Sequence, residues 1–306
     1  MKKLLLYITS ILFIIITFDF LVGICCKYYI KNYQLTGRYE PLDRLLKTVD
    51  SEILIIGNSI ILNSLDPKTI EDSLSQSCYN GGIIGQGIDF SETIIDCVLQ
   101  RYTPKSIILG LRPEEMGGNI GDGIYDILRP YYNMGYTSID EHLESYSGSK
   151  RILLHSNLIR YNTIWIRVLL YMFFDKSIYP QNGFMPKEVP STLAQQKRMS
   201  YCANPSKEKL ETIERIIKKC KAKGINIVIC FPPTLQIFPQ KPIPCVEAVE
   251  QICKKNDSHF ITSYDCQYYQ ERPELFFDDV HLNINGASLY SKDFAKQLKS
   301  QITDKR

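Results

Sequence analysis

The chain has 306 residues, of which 44% are hydrophobic and 23% are charged, and its formal net charge is +3. This composition is that of an ordinary globular protein, so extensive disorder is excluded and one large domain or two smaller ones can form. The small net charge and the lack of a dense Lys/Arg stripe with interleaved aromatic residues argue against nucleic acid as a partner.

The first 30 residues differ from the rest because they form an apolar stretch behind two lysines. The stretch follows Lys2 and Lys3 and runs from Leu4 to Cys26, which is long enough to cross a hydrocarbon core of about 30 Å with some tilt. The leading lysines place the N-terminus in the cytoplasm and the rest of the chain outside. Asp19 interrupts the stretch towards its outer end, where a charge costs less.

A cleaved signal peptide is the alternative interpretation of this stretch. The apolar run is long, however, and no small-x-small cleavage site follows it. We therefore predict an uncleaved transmembrane anchor over residues 1–30 and a juxtamembrane linker over 31–50. The protein would then be a single-pass protein of the inner or plasma membrane, with its remaining domain extracytoplasmic (periplasmic).

Beyond residue 50, short apolar strands alternate with amphipathic helices. Strands are predicted at 52–57, at the start of 78–87, which ends in a glycine-rich loop, and at 106–111, 225–231 and 259–264. Helices are predicted at 66–74, 89–102, 206–224, 244–256 and the C-terminus. This alternation predicts an α/β fold, a three-layer sandwich with a mostly parallel central sheet preceded by the transmembrane helix.

Residues 113–205 interrupt the alternation with glycine-rich turns, many tyrosines and the apolar segment 158–174. Arg160 and Arg167 make that segment a poor second membrane span. A helix on the membrane surface, a lid over a cleft and a core helix remain open, because periodicity cannot choose among them. We therefore predict one α/β domain over 51–302 with an inserted subdomain at about 113–205.

The ten cysteines form no CxxC pair and no Cys/His cluster at metal-binding spacing. A structural metal site is therefore not expected. An extracytoplasmic domain usually has few cysteines or paired ones. We interpret Cys97, Cys220, Cys230 and Cys253 as small apolar side chains of the core.

Ser59 is a candidate nucleophile because it follows the first predicted strand and a glycine. Acyl transfer by serine also needs an imidazole base, a carboxylate that orients it, and N–H donors for the oxyanion. His281 and Asp278 are three residues apart, a spacing at which the two side chains can face each other. Asp279 is the alternative acid, although the D-x-x-H spacing favours Asp278. The N–H groups of Ser59 and of the glycine loop 81–85 are candidate oxyanion donors.

Each of these signals has an ordinary explanation when it is taken alone. A serine after a strand usually caps a turn or helix, and a glycine loop can be a tight turn or a phosphate cradle. Other enzyme families fit less well. An α/β-hydrolase would need G-x-S-x-G, and Ile61 stands where the second glycine should be. No G-K-[ST] follows a glycine loop, and "GGIIGQG" lacks the dinucleotide-binding spacing.

In combination, the segments around Ser59, the glycine loop and the Asp278–His281 pair resemble the conserved sequence blocks of the SGNH (GDSL-like) hydrolase superfamily. "IIGNSIILNSLDP" is similar to its first block, with Gly-Asn-Ser in place of Gly-Asp-Ser, "YNGGIIGQG" to its second, and "DDVHLN" to its last. More narrowly, the chain resembles a membrane-anchored bacterial branch similar to the DltD and alginate O-acetylation proteins. The resemblance covers roughly residues 50–112 and 206–300. It implies an SGNH-type fold, the triad of Ser59, Asp278 and His281, and Gly82 as an oxyanion-hole donor.

The third block departs from the family pattern. Where the family supplies an asparagine to the oxyanion hole, "LGLRPEEM" places Glu114, and an ionised glutamate cannot donate a hydrogen bond. Loss of one oxyanion donor typically costs about 100- to 1000-fold in turnover. Four explanations stay open: Glu114 is protonated, the alignment is off by a residue or two, Arg112 substitutes, or activity is weak.

The resemblance implies a membrane-anchored serine esterase or O-acyltransferase that acts on a cell-surface glycan or another acylated substrate, with no cofactor and no metal. It also allows for a membrane-bound O-acyltransferase as a partner. The alternative is a catalytically impaired SGNH-like scaffold that binds a polysaccharide or such a membrane partner, an interpretation that Glu114 favours.

Overall fold

The structure is a computed structural model, and it describes residues 1–117, 123–162, 164–165, 177, 179–200 and 204–303. The chain divides into two compact units. The first consists of Met1–Asp43 and Asp122–Ile178, and the second of Arg44–Gly121 and Tyr179–Arg306.

The second unit is built on a parallel five-stranded sheet. Seven strands occur in the described residues: β1 (Ile53–Gly57), β2 (Cys78–Gly82), β3 (Ser106–Gly110), β4 (Lys197–Arg198), β5 (Asn226–Phe231), β6 (Gln236–Ile237) and β7 (His259–Thr262). The large sheet has the order β2-β1-β3-β5-β7, and every neighbouring pair in it is parallel. Strands β4 and β6 form a separate short pair. Because parallel strands are buried on both faces, they are continuous apolar runs, as in β1.

Six helices of the second unit cover the two faces of this sheet. The α-helices of the described residues are α1 (Lys2–Asn32), α2 (Glu40–Lys47), α3 (Ser59–Ser64), α4 (Pro67–Leu74), α5 (Ile88–Arg101), α6 (Pro113–Gly117), α7 (Gly123–Leu128), α8 (Thr137–Glu144), α9 (Ser149–Leu153), α10 (Asn157–Arg160), α11 (Lys207–Ala222), α12 (Pro244–Lys255), α13 (Gln267–Gln270) and α14 (Ile284–Thr303). One layer contains α3, α4 and α14, and the other contains α5, α11 and α12. The predicted α/β class with a parallel central sheet is thus confirmed.

The core of the second unit lies between the sheet and the two helix layers. Ile53 and Ile55 of β1 pack with Ile108 of β3 against Phe294 and Leu298 of α14, and all five side chains are fully buried. The four cysteines that were interpreted as core side chains, Cys97, Cys220, Cys230 and Cys253, are buried as well. Most of the driving force for folding this unit comes from such apolar burial.

Helix α4 begins where its sequence indicates. The Asp66 carboxylate accepts a hydrogen bond from the Lys68 N–H at 3.0 Å, and Pro67 occupies the first helical position. Helix α3 was not predicted, because the sequence pattern indicated only a loop between β1 and α4. Its six residues are too few to show a helical period, and the helix is instead defined by its capping residue, Asn58.

The first unit contains α1, whose apolar side chains from Leu4 to Ile24 are largely exposed. By length and composition, α1 is one helix that could cross a membrane. The stretch 31–50, predicted as a linker, contains α2, and within the first unit Asp43 accepts hydrogen bonds from the Leu35 N–H and the Tyr131 hydroxyl.

The inserted subdomain predicted at about 113–205 overlaps the part of the first unit that follows residue 122. Of the apolar segment 158–174, residues 163 and 166–174 lie outside the described residues. The described part of that segment begins within α10.

Candidate active site

Ser59 and His281 are in direct hydrogen-bond contact. Ser59 is the first residue of α3, immediately beyond the carboxyl end of β1, and its Oγ lies 2.9 Å from His281 Nε2. On the other side of the ring, His281 Nδ1 lies 2.9 Å from Asp278 Oδ2 and 3.1 Å from Asp278 Oδ1. The structure therefore brings the three predicted residues into one hydrogen-bonded row.

The charge of Asp278 determines where the protons lie in this row. Burial opposes ionisation of Asp278, but hydrogen bonds from the His281 ring and from the N–H groups of His281 and Val280 outweigh it and hold the pKa of Asp278 down to about 2. An ionised carboxylate can only accept hydrogen bonds. His281 therefore carries its proton on Nδ1, and Nε2 is left to accept the Ser59 hydroxyl proton.

A tight turn fixes the imidazole next to Ser59. The Phe277 N–H donates to the His281 carbonyl at 2.8 Å, and Phe276 pairs with Leu282 in an antiparallel bridge. Behind the turn, the buried Asn283 side chain donates to the Phe276 carbonyl at 3.2 Å and accepts from the Gly286 N–H at 3.1 Å. The turn is thus attached directly to the start of α14.

Asp279, the alternative acid, makes no hydrogen bond with the His281 ring in the described part of the chain. Its Oδ2 accepts a hydrogen bond from Gln236 Nε2 at 2.9 Å and lies 3.7 Å from Lys197 Nζ. The structure therefore gives the contact with His281 to Asp278.

Three glycines at the carboxyl ends of neighbouring strands let α3 lie close to the sheet. A Cβ on Gly110, at the end of β3, would lie 1.8 Å from Ile61 Cδ1, and a Cβ on Gly57, at the end of β1, would lie 2.7 Å from the Gly110 carbonyl oxygen. A Cβ on Gly82, at the end of β2, would lie 2.7 Å from the Leu62 nitrogen. Any side chain here would push α3, and Ser59 with it, away from the strand ends.

Asn58, the residue before Ser59, connects α3 to a buried carboxyl group. Its Oδ1 accepts the Ile60 N–H at 2.8 Å, which caps α3, and its Nδ2 donates to Glu115 Oε1. Glu115 is 4% exposed, and burial raises its pKa to about 8. The sequence interpretation did not identify Glu115. Its only trace in the sequence is the consecutive pair Glu114–Glu115, which does not indicate which of the two carboxyl groups is buried.

The structure does not leave the Gly82 N–H free for an oxyanion. This N–H donates to Asn80 Oδ1 at 2.9 Å, while Asn80 Nδ2 donates to the Ile61 and Leu65 carbonyls and so fastens α3 to β2. Gly82 thus allows close helix packing, and its contact with Asn80 competes with the oxyanion role that the resemblance implied.

Two other N–H groups fit an oxyanion hole better. The Ser59 N–H lies in the first turn of α3, where backbone N–H groups have no partner within the helix. Gly85, in the exposed loop after β2, has a φ of +74°, and no hydrogen bond of its N–H occurs among the described residues. Gly85 belongs to the glycine loop 81–85 that was considered from the sequence.

Glu114 lies beside Arg112 and Tyr264. The Tyr264 hydroxyl is 3.4 Å from both Glu114 carboxylate oxygens, and Arg112 Nε is 3.5 Å from Glu114 Oε2. Arg112 Nε is buried and makes no hydrogen bond within the described part of the chain. Of these two residues of the third block, Arg112 thus carries the donor groups, and its Nε is paired with the Glu114 carboxylate without a hydrogen bond.

No protein-family model matches the chain, and no curated protein matches it. Among solved structures, the chain is similar to a catalytic mutant of Axe2, an acetylxylan esterase from Geobacillus stearothermophilus. The TM-score is 0.40 and the sequence identity 11%, over 80% of this chain and 92% of that chain. A similarity this distant assigns neither residues nor activity, so the candidate site rests on its own geometry.

Proposed function

We propose that the protein is a serine esterase or O-acyltransferase in which Ser59 attacks an ester carbonyl. The observation that carries this proposal is the hydrogen-bonded row from Ser59 Oγ through the His281 ring to Asp278, with 2.9 Å at each of its two junctions. The row contains a nucleophile, a base and an orienting carboxylate in the order that acyl transfer requires.

The reaction follows from the proton positions in this row. Ser59 Oγ forms a bond to the carbonyl carbon of the ester while its proton passes to His281 Nε2, and Asp278 stabilises the imidazolium that results. When the ester C–O bond breaks, His281 returns that proton to the leaving alcohol, which leaves an acyl group on Ser59. A water molecule or a sugar hydroxyl then attacks the acyl group, with His281 again taking the proton.

The oxyanion that forms in these steps needs preorganised donors. We assign the Ser59 N–H, at the start of α3, and the Gly85 N–H, in the loop after β2, to this role. Gly82 is replaced in this assignment because Asn80 already accepts its N–H.

Arg112 is the third donor in our proposal. Strands β1 and β3 are parallel, with Ile56 opposite Leu109. Ser59 follows Ile56 by as many residues as Arg112 follows Leu109, so both residues come just beyond the carboxyl ends of neighbouring strands. Burial raises the pKa of Glu115, and the nearby Arg112 guanidinium partly opposes that rise; the Glu115 carboxyl group accepts from Asn58. Arg112 is therefore close to the residue that precedes the nucleophile, and a guanidinium there would stabilise developing negative charge.

We further propose that α1 anchors the enzyme in the membrane and that the substrate is an acylated glycan of the cell surface. The anchor is supported by the length and exposed apolar surface of α1. The glycan substrate, and transfer rather than hydrolysis, are supported by the sequence resemblance to cell-envelope acylation proteins.

A fluorophosphonate probe tests the nucleophile. We expect the purified full chain to be labelled, Ser59→Ala to abolish labelling, and Ser64→Ala to keep it. Ser64 is the matched control because it ends the same helix and its buried hydroxyl has no hydrogen-bond partner among the described residues. Persistent labelling of Ser59→Ala would place the reactive group elsewhere.

A second candidate function is a non-catalytic SGNH-like scaffold that binds a polysaccharide or a membrane acyltransferase. It is favoured by one observation: Glu114, in the third block, is a carboxylate that faces Tyr264 and offers no donor. Folded wild-type protein that no fluorophosphonate labels would support the scaffold and overturn the enzyme.

A further inference from the structure

Asp19 is a charged residue within the apolar helix α1, and the structure gives it a complete set of partners. Its carboxylate oxygens accept hydrogen bonds from Ser156 Oγ at 2.8 Å, the Asn157 N–H at 3.1 Å, Asn157 Nδ2 at 2.9 Å and the Leu158 N–H at 2.9 Å. All of these residues belong to the first unit. Intramembrane charges are costly unless they are paired in this way.

Within the part of the chain that the structure describes, the buried side of α1 lies in its C-terminal half. The buried residues of α1 are Val22, Gly23, Cys26 and Ile30, which recur at helical spacing on one side. At Gly23 the approach is so close that a Cβ would lie 2.5 Å from Asn157 Cγ. Before Asp19, by contrast, the large apolar side chains of α1 are exposed.

An aromatic contact lies beside Asp19, at the preceding residue of α1. The rings of Phe18 and Trp165 meet edge to face, with centroids 6.4 Å apart and an interplanar angle of 84°. Tryptophan is enriched at the boundary between the hydrocarbon core and water, because its ring is apolar and its N–H is polar.

The length of the exposed part of α1 fixes where this boundary falls. From Lys3 to Asp19 a helix rises about 24 Å, which is slightly less than the ~30 Å thickness of a hydrocarbon core. If Lys3 lies at the inner boundary, Asp19 and the residues bound to it lie roughly 6 Å short of the outer one, within reach of the lipid headgroups.

We propose that Asp19 clamps residues 156–158 to the outer half of α1, so that α1 is a retained part of the folded protein and Trp165 lies in the interface of the phospholipid bilayer. Removal of α1 by cleavage would leave the Ser156, Asn157 and Leu158 donors without the carboxylate that accepts them. The clamp rests on the proposed membrane anchoring but is independent of the proposed chemistry.

Trp165 is the only tryptophan of the chain, so its fluorescence reports on this site alone. The full chain is reconstituted into phosphatidylcholine–phosphatidylglycerol nanodiscs whose acyl chains carry bromine either near the headgroup or near the chain end. We expect Trp165 to be quenched at least twofold more by the shallow bromines than by the deep ones. Equal quenching, deeper quenching or none at all would overturn the interfacial placement.

The intact mass of the protein purified from membranes separates the clamp from the anchor. Loss of the first residues up to about Cys26 would show that α1 is a cleaved signal and would refute both. A full-length mass together with an unquenched Trp165 would refute the clamp and leave the anchoring intact.

Two variants test the role of the carboxylate. Asp19→Leu keeps the helix apolar but removes the acceptor, and we expect Trp165 emission to shift to the red and its quenching to change by more than twofold. Thr17→Val is the matched control, because among the described residues the Thr17 hydroxyl bonds to the Phe13 carbonyl of its own helix and to nothing else. If Asp19→Leu does not accumulate, Asn157→Ala leaves the sequence of α1 unchanged and removes one donor to Asp19, together with the Asn157 contacts with Gly23 and Arg160. It is expected to produce a smaller shift of the same sign. An emission and quenching profile like that of wild type in whichever of the two variants is measured would overturn the clamp.

Discussion

The side-chain amide of Asn58 connects the nucleophile helix to Glu115. Its oxygen accepts the Ile60 N–H at 2.8 Å, and its nitrogen donates to Glu115 Oε1. Asn58 and Glu115 are both almost fully buried, so the position of α3 depends on a contact with a carboxyl group that solvent does not screen. The protonation state of Glu115 therefore bears on the stability of the site.

Glu115→Gln is expected to remove a pH dependence of stability. Burial raises the pKa of Glu115 from 4.5 to about 8, so the folded state favours the neutral form. This contribution is fully present below about pH 4.5 and is lost as the pH rises through 8, since the folded state binds the proton that the unfolded state releases. Over that window wild type should lose at most about 5 kcal/mol, and the variant should lose clearly less.

The measurement is the free energy of unfolding of the full chain in detergent, followed by circular dichroism at pH 5, 6.5 and 8. Glu141→Gln is the control, because Glu141 is an exposed residue of α8 and its variant should keep the wild-type slope. Parallel slopes for wild type and Glu115→Gln would show that Glu115 is ionised throughout.

Asp278→Asn is expected to lower the rate of acylation by about 1000-fold or more. An amide in place of the carboxylate can donate to His281 Nδ1 and so favours the wrong tautomer of the ring. Asp279→Asn is the matched control: it differs by one position, and its oxygen can still accept from Gln236 Nε2, the contact that Asp279 makes at 2.9 Å. Labelling rates with the fluorophosphonate compare the two. A greater loss in Asp279→Asn would reverse the assignment of the acid.

The sequence was sufficient to predict the fold class because its signals are local. Strand β1 is a continuous apolar run, and α4 begins with Asp66 and Pro67, which cap and start a helix. Helix α3 was not predicted because its six residues are too few to show a helical hydrophobic period. Its existence depends on the Asn58 cap and on the space that Gly110 leaves for Ile61, and neither feature is visible without the packing of neighbouring strands.

The candidate site was predictable only where its parts have a short signature. Asp278 and His281 are close in sequence, and Ser59 follows a recognisable strand. Which of Gly82, Gly85, Glu114 and Arg112 could donate to the oxyanion depends instead on which donors already have a hydrogen-bond acceptor. The Gly82 N–H, for example, already donates to Asn80. Such competition is a property of the tertiary structure.

Alanine substitutions at Gly82 and Gly85 should have different effects. At Gly82 a Cβ would lie 2.7 Å from the Leu62 nitrogen, so we expect a loss of about 1 to 3 kcal/mol of stability from overpacking. At Gly85 there is space, but φ is +74°, which an L-residue adopts at a cost of about 1 to 2 kcal/mol. Because this strain would move a proposed oxyanion donor, the acylation rate should fall about tenfold or more.

Thermal unfolding and fluorophosphonate labelling measure these two effects separately. Gly87→Ala is the control: Gly87 lies in the same loop, a Cβ there would meet no heavy atom within 4 Å beyond its chain neighbours, and its φ of −112° is accessible to alanine. If Gly85→Ala is labelled as fast as Gly87→Ala, the Gly85 N–H is not an oxyanion donor.

Arg112→Gln is expected to lower kcat for 4-nitrophenyl acetate by about 100-fold with little change in KM, because an oxyanion donor acts mainly in the transition state. Arg112→Lys should retain part of the rate, since it keeps the charge but not the planar donor geometry. Arg215→Gln serves as control, because Arg215 pairs with Glu92 on α5 and is half-exposed. A kcat for Arg112→Gln within threefold of wild type would exclude Arg112 from the oxyanion hole and leave the Ser59 and Gly85 N–H groups as its donors.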